Sequence, residues 1–130
     1  MSLVLDTHAW LWWEASPERL SPAAAAAIDQ AEQLAVCAIS CWELAMLVLR
    51  GRIELDRPVG RWIEQALSRE RVAALSVSPR VAVEAAQLPD GRFPADPADR
   101  LIYTTARQTG AQLVTRDERL RRYDPAMTVW

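Results

Sequence analysis

The sequence contains no lysine and no asparagine, and it has one histidine (His8) and two cysteines (Cys37 and Cys41) among its 130 residues. The absence of lysine excludes a Walker-A phosphate-binding loop, Schiff-base catalysis and lysine-assisted phosphoryl transfer. His8 and the two cysteines supply too few nitrogen and sulfur ligands for a usual structural zinc site. Carboxylates are abundant, with 17 aspartate and glutamate residues. We therefore expect any enzymatic activity to depend on carboxylates and metal ions.

The length suits one domain spanning residues 1–130, with a core large enough to fold without disulfides. No apolar run approaches the roughly 18–20 residues of a membrane-spanning helix, and the N-terminus lacks a basic segment ahead of its apolar residues. Two cysteines four positions apart suit a reducing compartment better than a disulfide framework. We therefore expect a cytoplasmic protein with no membrane partner.

All positive side-chain charge comes from 15 arginines, and it is uneven along a chain whose net charge is −2. The segment from Arg100 to Arg122 contains six arginines and only two acids. Such a patch can bind a polyanion even in a weakly acidic protein. A solvated helix face explains the same charges equally well.

Short apolar runs alternate with segments of helical pattern along the chain. Strands are predicted at 2–5, 34–38, 72–77, 112–115 and, as a possible last one, 127–129. Helices are predicted at 8–14, 22–32, 40–50, 59–70, 79–88, 97–109 and 117–123. The helix at 40–50 is expected to begin with a capping box formed by Ser40 and Glu43. This alternation predicts an α/β fold with a mainly parallel sheet of four to five strands, flanked by helices.

Four acids fall directly after predicted strands or in the first turn of the helices. Asp6 follows the first strand, Glu43 lies shortly after the second, Asp99 begins the helix at 97–109, and Asp117 follows the fourth strand. In a parallel sheet these positions share one edge, where ligands bind. Clustered carboxylates repel one another unless a cation is present, and hard oxygen ligands favour Mg²⁺ or Mn²⁺. Such ions activate water and stabilise the charge of a phosphodiester displacement.

Each acid also has a purely structural explanation. Glu43 fits the third position of a capping box. Asp96 and Asp99 fit the N-cap and first turn of a helix with proline at its first position. Asp117 and Asp6 can cap the helices that follow them. The joint placement at one edge favours a functional site.

Four segments of the sequence, in this order, resemble the motifs of PIN-domain ribonucleases, and more narrowly of VapC-type toxins of type II toxin–antitoxin systems. They are Leu5-Asp6-Thr7-His8, Ser40-Cys41-Trp42-Glu43, Asp96-Pro97-Ala98-Asp99-Arg100-Leu101-Ile102 and Thr115-Arg116-Asp117. The resemblance spans residues 3 to about 123 and implies a three-layer PIN-like fold. It also implies an endoribonuclease that hydrolyses RNA with metal-activated water.

By the same resemblance, the catalytic and metal-binding residues are Asp6, Glu43, Asp99 and Asp117. Auxiliary residues of the site are Asp96, Thr115 and Ser40. The implied cofactor is one or two ions of Mg²⁺ or Mn²⁺, and the implied partners are an RNA substrate, a cognate antitoxin and a second copy of the chain in a homodimer. Toxins of this type often carry a histidine shortly before the Asp-Pro-x-Asp motif, where this sequence has Gly91-Arg92-Phe93-Pro94.

Arginines and large apolar residues supply candidate contacts for these partners. RNA phosphates can be held by the arginines after the fourth strand, which are Arg116, Arg119, Arg121 and Arg122. Three tryptophans on one short helix cannot all face the core, so at least one is expected at a surface. The candidate antitoxin contacts are Trp10, Trp12, Trp13, Met46 and Leu47. Core packing is favoured for Trp42, Trp62, Cys37 and Cys41, although Trp42 can also line the antitoxin groove, and His8 is expected to be structural or to contact RNA.

Two other functions remain open on the sequence alone. An acid after the first strand also occurs in aspartyl-phosphate phosphatases and receiver domains. Those proteins normally use a lysine beside the phosphoryl group, and the sequence has none. The second alternative is a non-catalytic PIN-like module that binds RNA or protein, against which the intact acid set argues.

Overall fold

A parallel sheet of five strands forms the centre of the protein, in a computed structural model that describes residues 2–130. The strands are β1 (Ser2–Leu5), β2 (Gln33–Cys37), β3 (Val72–Leu75), β4 (Gln112–Val114) and β5 (Thr128–Val129). Their spatial order is β3-β2-β1-β4-β5, and every neighbouring pair is parallel. The predicted strands are present, and β3 ends two residues earlier than expected.

Seven α-helices lie in the described part of the chain and flank the sheet. They are α1 (Thr7–Ala15), α2 (Pro22–Gln30), α3 (Ala38–Leu49), α4 (Val59–Leu67), α5 (Pro79–Ala86), α6 (Pro97–Thr109) and α7 (Glu118–Tyr123). Short 3₁₀ turns occupy Pro17–Arg19 and Pro125–Met127. None of the described helices is long and apolar enough to cross a bilayer. The predicted α/β fold with a mainly parallel sheet is confirmed.

The two faces of the sheet carry separate hydrophobic clusters. In β1, Leu3 and Leu5 belong to one cluster and Val4 to the other, because successive strand residues point to opposite faces. The first cluster includes buried residues of α1, α2 and α4. The second includes buried residues of α6 and α7, with Ile102 and Leu120 among them. The sheet is therefore the middle of three layers, as the sequence resemblance implies.

The start of α3 differs from the prediction. A capping box at Ser40 was expected, but the helix begins at Ala38 with Cys37 as its N-cap residue. Ser40 is fully buried, and its Oγ accepts a hydrogen bond from the Thr7 hydroxyl at 2.9 Å. The tertiary contact to α1 therefore occupies the hydroxyl that would otherwise cap the helix. As a result Glu43 lies in the second turn of α3 rather than at a capping position.

The tryptophans of α1 are less exposed than the sequence suggested. Trp10 is fully buried and Trp12 is 7% exposed, so neither offers a surface to a partner protein. Trp13 is half-buried, and the guanidinium of Arg69 lies 4.0 Å from its ring centroid. The short helix accommodates all three because each ring has a partner of its own: Trp10 packs on Trp62, Trp12 on Trp130, and Trp13 on the Arg69 guanidinium.

Trp42 and Trp62 have opposite environments. Trp62 is 5% exposed and packs edge-on against Trp10, with ring centroids 5.3 Å apart, as expected of a core residue. Trp42 is 58% exposed, so the prediction that it packs in the core is wrong. Ser40 and Leu44 are the buried residues of α3 and lie on one face of the helix, and Trp42, two positions from each, lies on the opposite face. Cys37 is buried and Cys41 half-buried, both as core residues.

Candidate functional site

The adjacency of β1 and β4 brings the residues that follow them to the same edge of the sheet. Leu5 pairs with Val114, and the Asp6 N–H donates to the Val114 carbonyl at 3.1 Å. Asp6 is the N-cap residue of α1, where its Oδ1 accepts a hydrogen bond from the Ala9 N–H at 2.8 Å. Asp117 is the N-cap residue of α7, where its Oδ1 accepts from the Arg119 and Leu120 N–H groups.

The N-terminus of α6 brings two more acids to this edge. Asp96 is the N-cap residue, and its Oδ1 accepts hydrogen bonds from the N–H groups of Ala98 and Asp99. The segment before α6 is held by Arg100, whose guanidinium donates to the carbonyls of Ala85, Leu88 and Pro94 and pairs with Asp90. Arg100 therefore holds the chain that leads into the site rather than a carboxylate within it.

These elements enclose one cavity of about 660 Å³, which we call the carboxylate cavity. Five of its lining residues are acids predicted from the sequence, and they are Asp6, Glu43, Asp96, Asp99 and Asp117. The other lining residues are Thr7, His8, Trp12, Arg116, Glu118, Arg121 and Trp130. The structure therefore brings together acids separated by more than 100 positions in the chain.

Three of the acids are close enough to share a single cation. One carboxylate oxygen each from Glu43, Asp96 and Asp99 lies within 4.8 Å of the other two. Oxygens bound to one Mg²⁺ or Mn²⁺ lie about 2 Å from the ion and so are separated by roughly 3–4 Å, which small side-chain movements allow here. Asp6 and Asp117 line the same cavity and complete an all-oxygen set of ligands. The donor set fits a hard divalent cation.

The electrostatics of the cavity also favour a bound divalent cation. Burial raises the pKa of the Asp99 carboxyl to about 7, and repulsion from the four other carboxylates adds to the shift. Burial also raises the pKa of Asp6, although a hydrogen bond with the Thr115 side chain opposes that change. These carboxylates carry negative charge that no protein cation in the cavity fully balances. A bound divalent ion would remove the repulsion.

Thr115 and Ser40 lie behind the acids and not in the cavity lining. Thr115 is fully buried, hydrogen-bonds with the Asp6 carboxylate and accepts the Asp117 N–H at 3.1 Å on its Oγ1. It therefore joins two acids that come from different strands. Ser40 contacts Thr7, the residue next to Asp6, and so supports the turn that carries this acid.

We expect Ser40→Ala to lower the free energy of unfolding by about 1–2 kcal/mol, because the buried Thr7 hydroxyl would lose its acceptor. Urea unfolding followed by circular dichroism measures this change. Ser2→Ala, an exposed serine on β1, is the matched control and should change stability by less than about 0.5 kcal/mol. An unchanged unfolding midpoint in Ser40→Ala would show that the Thr7–Ser40 contact adds no stability.

The four arginines proposed for RNA contact separate into two groups. Arg116 and Arg121 line the carboxylate cavity. Arg119 and Arg122 line a different cavity of about 390 Å³ together with Arg92. His8 is exposed at the rim of the carboxylate cavity, with its ring centroid 5.6 Å from that of Trp12.

Sequence reasoning did not identify Trp130, Thr7 or Glu118 as residues near the site. Trp130 follows β5, a strand of two residues that pairs with β4, and its side chain reaches the carboxylate cavity. The only signal in the sequence was the possible last strand at 127–129. From a strand of two residues one can predict neither which strand it pairs with nor that a cavity lies at its end.

A second, mainly apolar cavity of about 470 Å³ adjoins the first and shares Glu43 and Asp96 with it. We call it the apolar groove. Its lining residues are Ile39, Trp42, Glu43, Met46, Leu47, Arg50, Arg52, Asp96, Pro97 and Ala98. Of the residues proposed to contact an antitoxin, Met46 and Leu47 lie in this groove, whereas Trp10, Trp12 and Trp13 do not.

Known proteins with similar sequences and structures were compared with this chain. The PIN domain family matches residues 3–125. Ribonuclease VapC22 of Mycobacterium tuberculosis (strain ATCC 25618 / H37Rv) is 49% identical over 131 residues, covering 99% of this chain and 98% of that protein.

Two solved structures have the same fold at low sequence identity. VapBC2 from Rickettsia felis, bound to a DNA fragment from its promoter, aligns over 98% of this chain and 97% of the other chain with a TM-score of 0.69 and 16% identity. VapBC-1 from nontypeable Haemophilus influenzae aligns over 98% and 96% with a TM-score of 0.69 and 20% identity. With the family match over nearly the whole length, these findings show that the chain belongs to the PIN-domain family.

Proposed function

We propose that this protein is a divalent-metal-dependent endoribonuclease and the toxin of a toxin–antitoxin pair. The observation that carries the proposal is the convergence in one cavity of the five acids predicted from the sequence. The 49% identity to a protein named a ribonuclease supports RNA as the substrate. We place the protein in the cytoplasm, where RNA and an antitoxin are available.

Asp6, Glu43, Asp99 and Asp117 would hold one or two Mg²⁺ or Mn²⁺ ions, with Asp96 as an auxiliary ligand. Such an ion, when bound, lowers the pKa of water and stabilises the charge that develops on a phosphodiester. The chain itself fixes the positions of Asp6, Asp96 and Asp117 through α-helix caps and the Thr115 bridge. The orientation of these carboxylates therefore does not depend on the ion alone.

Arg116 and Arg121 would bind the phosphates of the RNA on either side of the cleaved bond. Both line the carboxylate cavity on the side of α7. Guanidinium groups make paired hydrogen bonds to phosphate oxygens and offset the repulsion between RNA and the carboxylates. Arg122 would contact the flanking phosphate together with Arg121, and Arg119, which lines a neighbouring cavity with Arg122, would contact a phosphate further along the strand.

Cleavage of RNA by the purified protein in Mg²⁺, but not in EDTA, tests this function. The ends of the products distinguish the mechanism. Attack by water leaves the ribose 2′-hydroxyl free, so no 2′,3′-cyclic phosphate forms at the new ends. A cyclic phosphate, or cleavage that persists in EDTA, would show that the carboxylate cavity is not the site of metal-dependent hydrolysis.

We propose that the apolar groove binds the cognate antitoxin. The groove adjoins the carboxylate cavity, contains the exposed Trp42 and carries two arginines at its rim, Arg50 and Arg52. An apolar segment with acidic neighbours would complement these side chains. A second copy of the chain is the other partner that we propose, and the exposed Val83 on α5 is available to it.

Replacing Trp42 with aspartate should weaken binding of the antitoxin encoded beside this protein by at least about tenfold. An aromatic side chain that the antitoxin would bury is then replaced by a charge. Leu49→Asp is the matched control, because Leu49 is 78% exposed on the same helix but lies outside the groove. Isothermal titration calorimetry of the two variants measures the difference. Equal affinities would place the antitoxin elsewhere.

A further inference from the structure

Trp130 forms part of the wall between the carboxylate cavity and a neighbouring cavity of about 450 Å³. We call the second one the Trp130 cavity, and its lining residues are Glu118, Arg121, Arg122, Pro125, Thr128 and Trp130. Glu118, Arg121 and Trp130 line both cavities, so the two cavities are adjacent. Trp130 is half-buried and is one of the residues that line the carboxylate cavity.

The position of Trp130 is fixed relative to the acids. Val129 pairs with Val114, and its carbonyl accepts the Thr115 N–H at 3.1 Å. The Thr115 side chain in turn contacts the Asp6 carboxylate and the Asp117 N–H. The sheet therefore connects the tryptophan to the acids of the active site without an intervening flexible loop.

Aromatic packing holds the ring itself. The centroids of Trp130 and Trp12 are 5.7 Å apart with the planes inclined by 56°, so Trp12 supports one part of Trp130. The guanidiniums of Arg116 and Arg19 lie 5.7 Å and 5.1 Å from the Trp12 centroid. An open indole on a rigid aromatic base, with cations nearby, is the arrangement on which single-stranded nucleic acids stack.

The charge of the Trp130 cavity suits the RNA backbone. Its lining side chains include two arginines, Arg121 and Arg122, and one acid, Glu118, so the side chains have a net positive charge. The carboxylate cavity has the opposite sign and is suited to cations. A strand whose phosphate reaches the carboxylates can thus place its next phosphate between the arginines and its base on the indole.

We propose that Trp130 stacks on a nucleobase adjacent to the cleaved phosphodiester, with Arg121 and Arg122 on the flanking phosphate. The proposal rests on the ribonuclease function proposed above. It makes Trp130 a determinant of which nucleotides are accepted at one side of the cleavage point. A base stacks by its face, so we expect a preference for bases that stack strongly rather than for one hydrogen-bonding pattern.

Trp130 also contacts the hydrophobic cluster that contains Trp12. The experiment must therefore distinguish a role in RNA binding from a role in stabilising the fold. Trp130→Leu keeps an apolar side chain at this contact but removes the aromatic face. Trp130→Phe keeps a ring. Trp13→Leu is the matched control, because Trp13 is a half-buried tryptophan on the same cluster but lines neither cavity.

The test measures binding of short single-stranded oligoribonucleotides, each carrying 2-aminopurine at one position, to full-length protein with the Asp99→Asn change, which keeps the RNA intact. We expect quenching of 2-aminopurine at one position. Trp130→Leu should weaken binding by about 5- to 100-fold and abolish that quenching. Trp130→Phe should retain most of both, and Trp13→Leu should change neither.

Removing the base at the quenched position provides a second test, in which the RNA is changed as well as the protein. The abasic oligonucleotide should bind more weakly to the Asp99→Asn protein, and Trp130→Leu should then weaken binding no further. Equal losses in Trp130→Leu and Trp13→Leu, or quenching that persists in Trp130→Leu, would overturn the stacking proposal.

The same data separate this inference from the nuclease function. If the wild-type protein cleaves RNA but binding is independent of Trp130, only the stacking proposal is wrong. If binding and quenching depend on Trp130 but the wild-type protein cleaves no RNA, the nuclease function is wrong, and Trp130 stacks on a base that is not beside a cleaved phosphodiester.

Discussion

Replacing Asp99 with asparagine is expected to reduce kcat/KM for divalent-metal-dependent RNA cleavage by about a thousandfold or more while the protein stays folded. Asp99 has an oxygen within 4.8 Å of oxygens of Glu43 and Asp96, and repulsion from the four other acids predicted from the sequence acts on it. Asparagine has nearly the same shape but supplies a weaker, neutral ligand. Cleavage of a labelled RNA at increasing Mg²⁺ concentration measures the loss.

The matched control is Asp29→Asn, which makes the same chemical change at an exposed position of α2 outside the cavity. It should retain wild-type kcat/KM. The far-ultraviolet circular dichroism of Asp99→Asn should match that of the wild type, so that loss of activity is not loss of fold. Wild-type cleavage by Asp99→Asn would exclude the carboxylate cavity as the metal site.

The second large effect concerns stability without metal. In EDTA the protein should be less stable at about pH 8 than at about pH 5, by on the order of 2–4 kcal/mol. The pKa of Asp99 is raised from 3.8 to about 7 in the folded protein, so the folded state holds a proton that the unfolded chain has already released between these values. That stabilisation is present at low pH and is lost as the pH rises through 7. Urea unfolding in EDTA at the two pH values measures it.

The asparagine variant and added metal provide the controls for this measurement. Asp99→Asn should be more stable than the wild type at about pH 8 in EDTA, because it removes the charge that burial and neighbouring carboxylates disfavour. Mg²⁺ should stabilise the wild type at that pH and have much less effect on the variant. A wild-type unfolding free energy that is the same at both pH values would show that Asp99 is not destabilised by its surroundings.

The edge of the sheet that carries the acids could be predicted from the sequence, because each acid lies next to a short sequence pattern that marks a strand end or a helix start. Asp6 and Asp117 come directly after apolar strand residues, and Asp96 precedes a proline at the first position of a helix. Parallel strands joined by helices place all such positions on one side of the sheet. These acids could therefore be expected near one another without knowing any side-chain contact.

The features that the sequence did not predict depend on contacts between distant segments. Ser40 has the local pattern of a helix cap, but its hydroxyl binds Thr7, which is 33 residues away. Trp42 was assigned to the core from its hydrophobicity, but the face of α3 that packs inward is the one with Ser40 and Leu44. Trp130 is near the acids only because a two-residue strand joins the edge of the sheet. Local periodicity contains none of this information.

Three acids of the cavity, Asp6, Asp96 and Asp117, also cap the helices α1, α6 and α7 with one carboxylate oxygen. Asparagine caps a helix about as well as aspartate does, but it carries no charge. We therefore expect a single change to asparagine at any of these positions to weaken the proposed cation site and to leave the helix intact. Such a substitution can remove catalysis without destabilising the fold. A PIN domain that has lost catalysis in this way can therefore remain folded and be selected for binding alone.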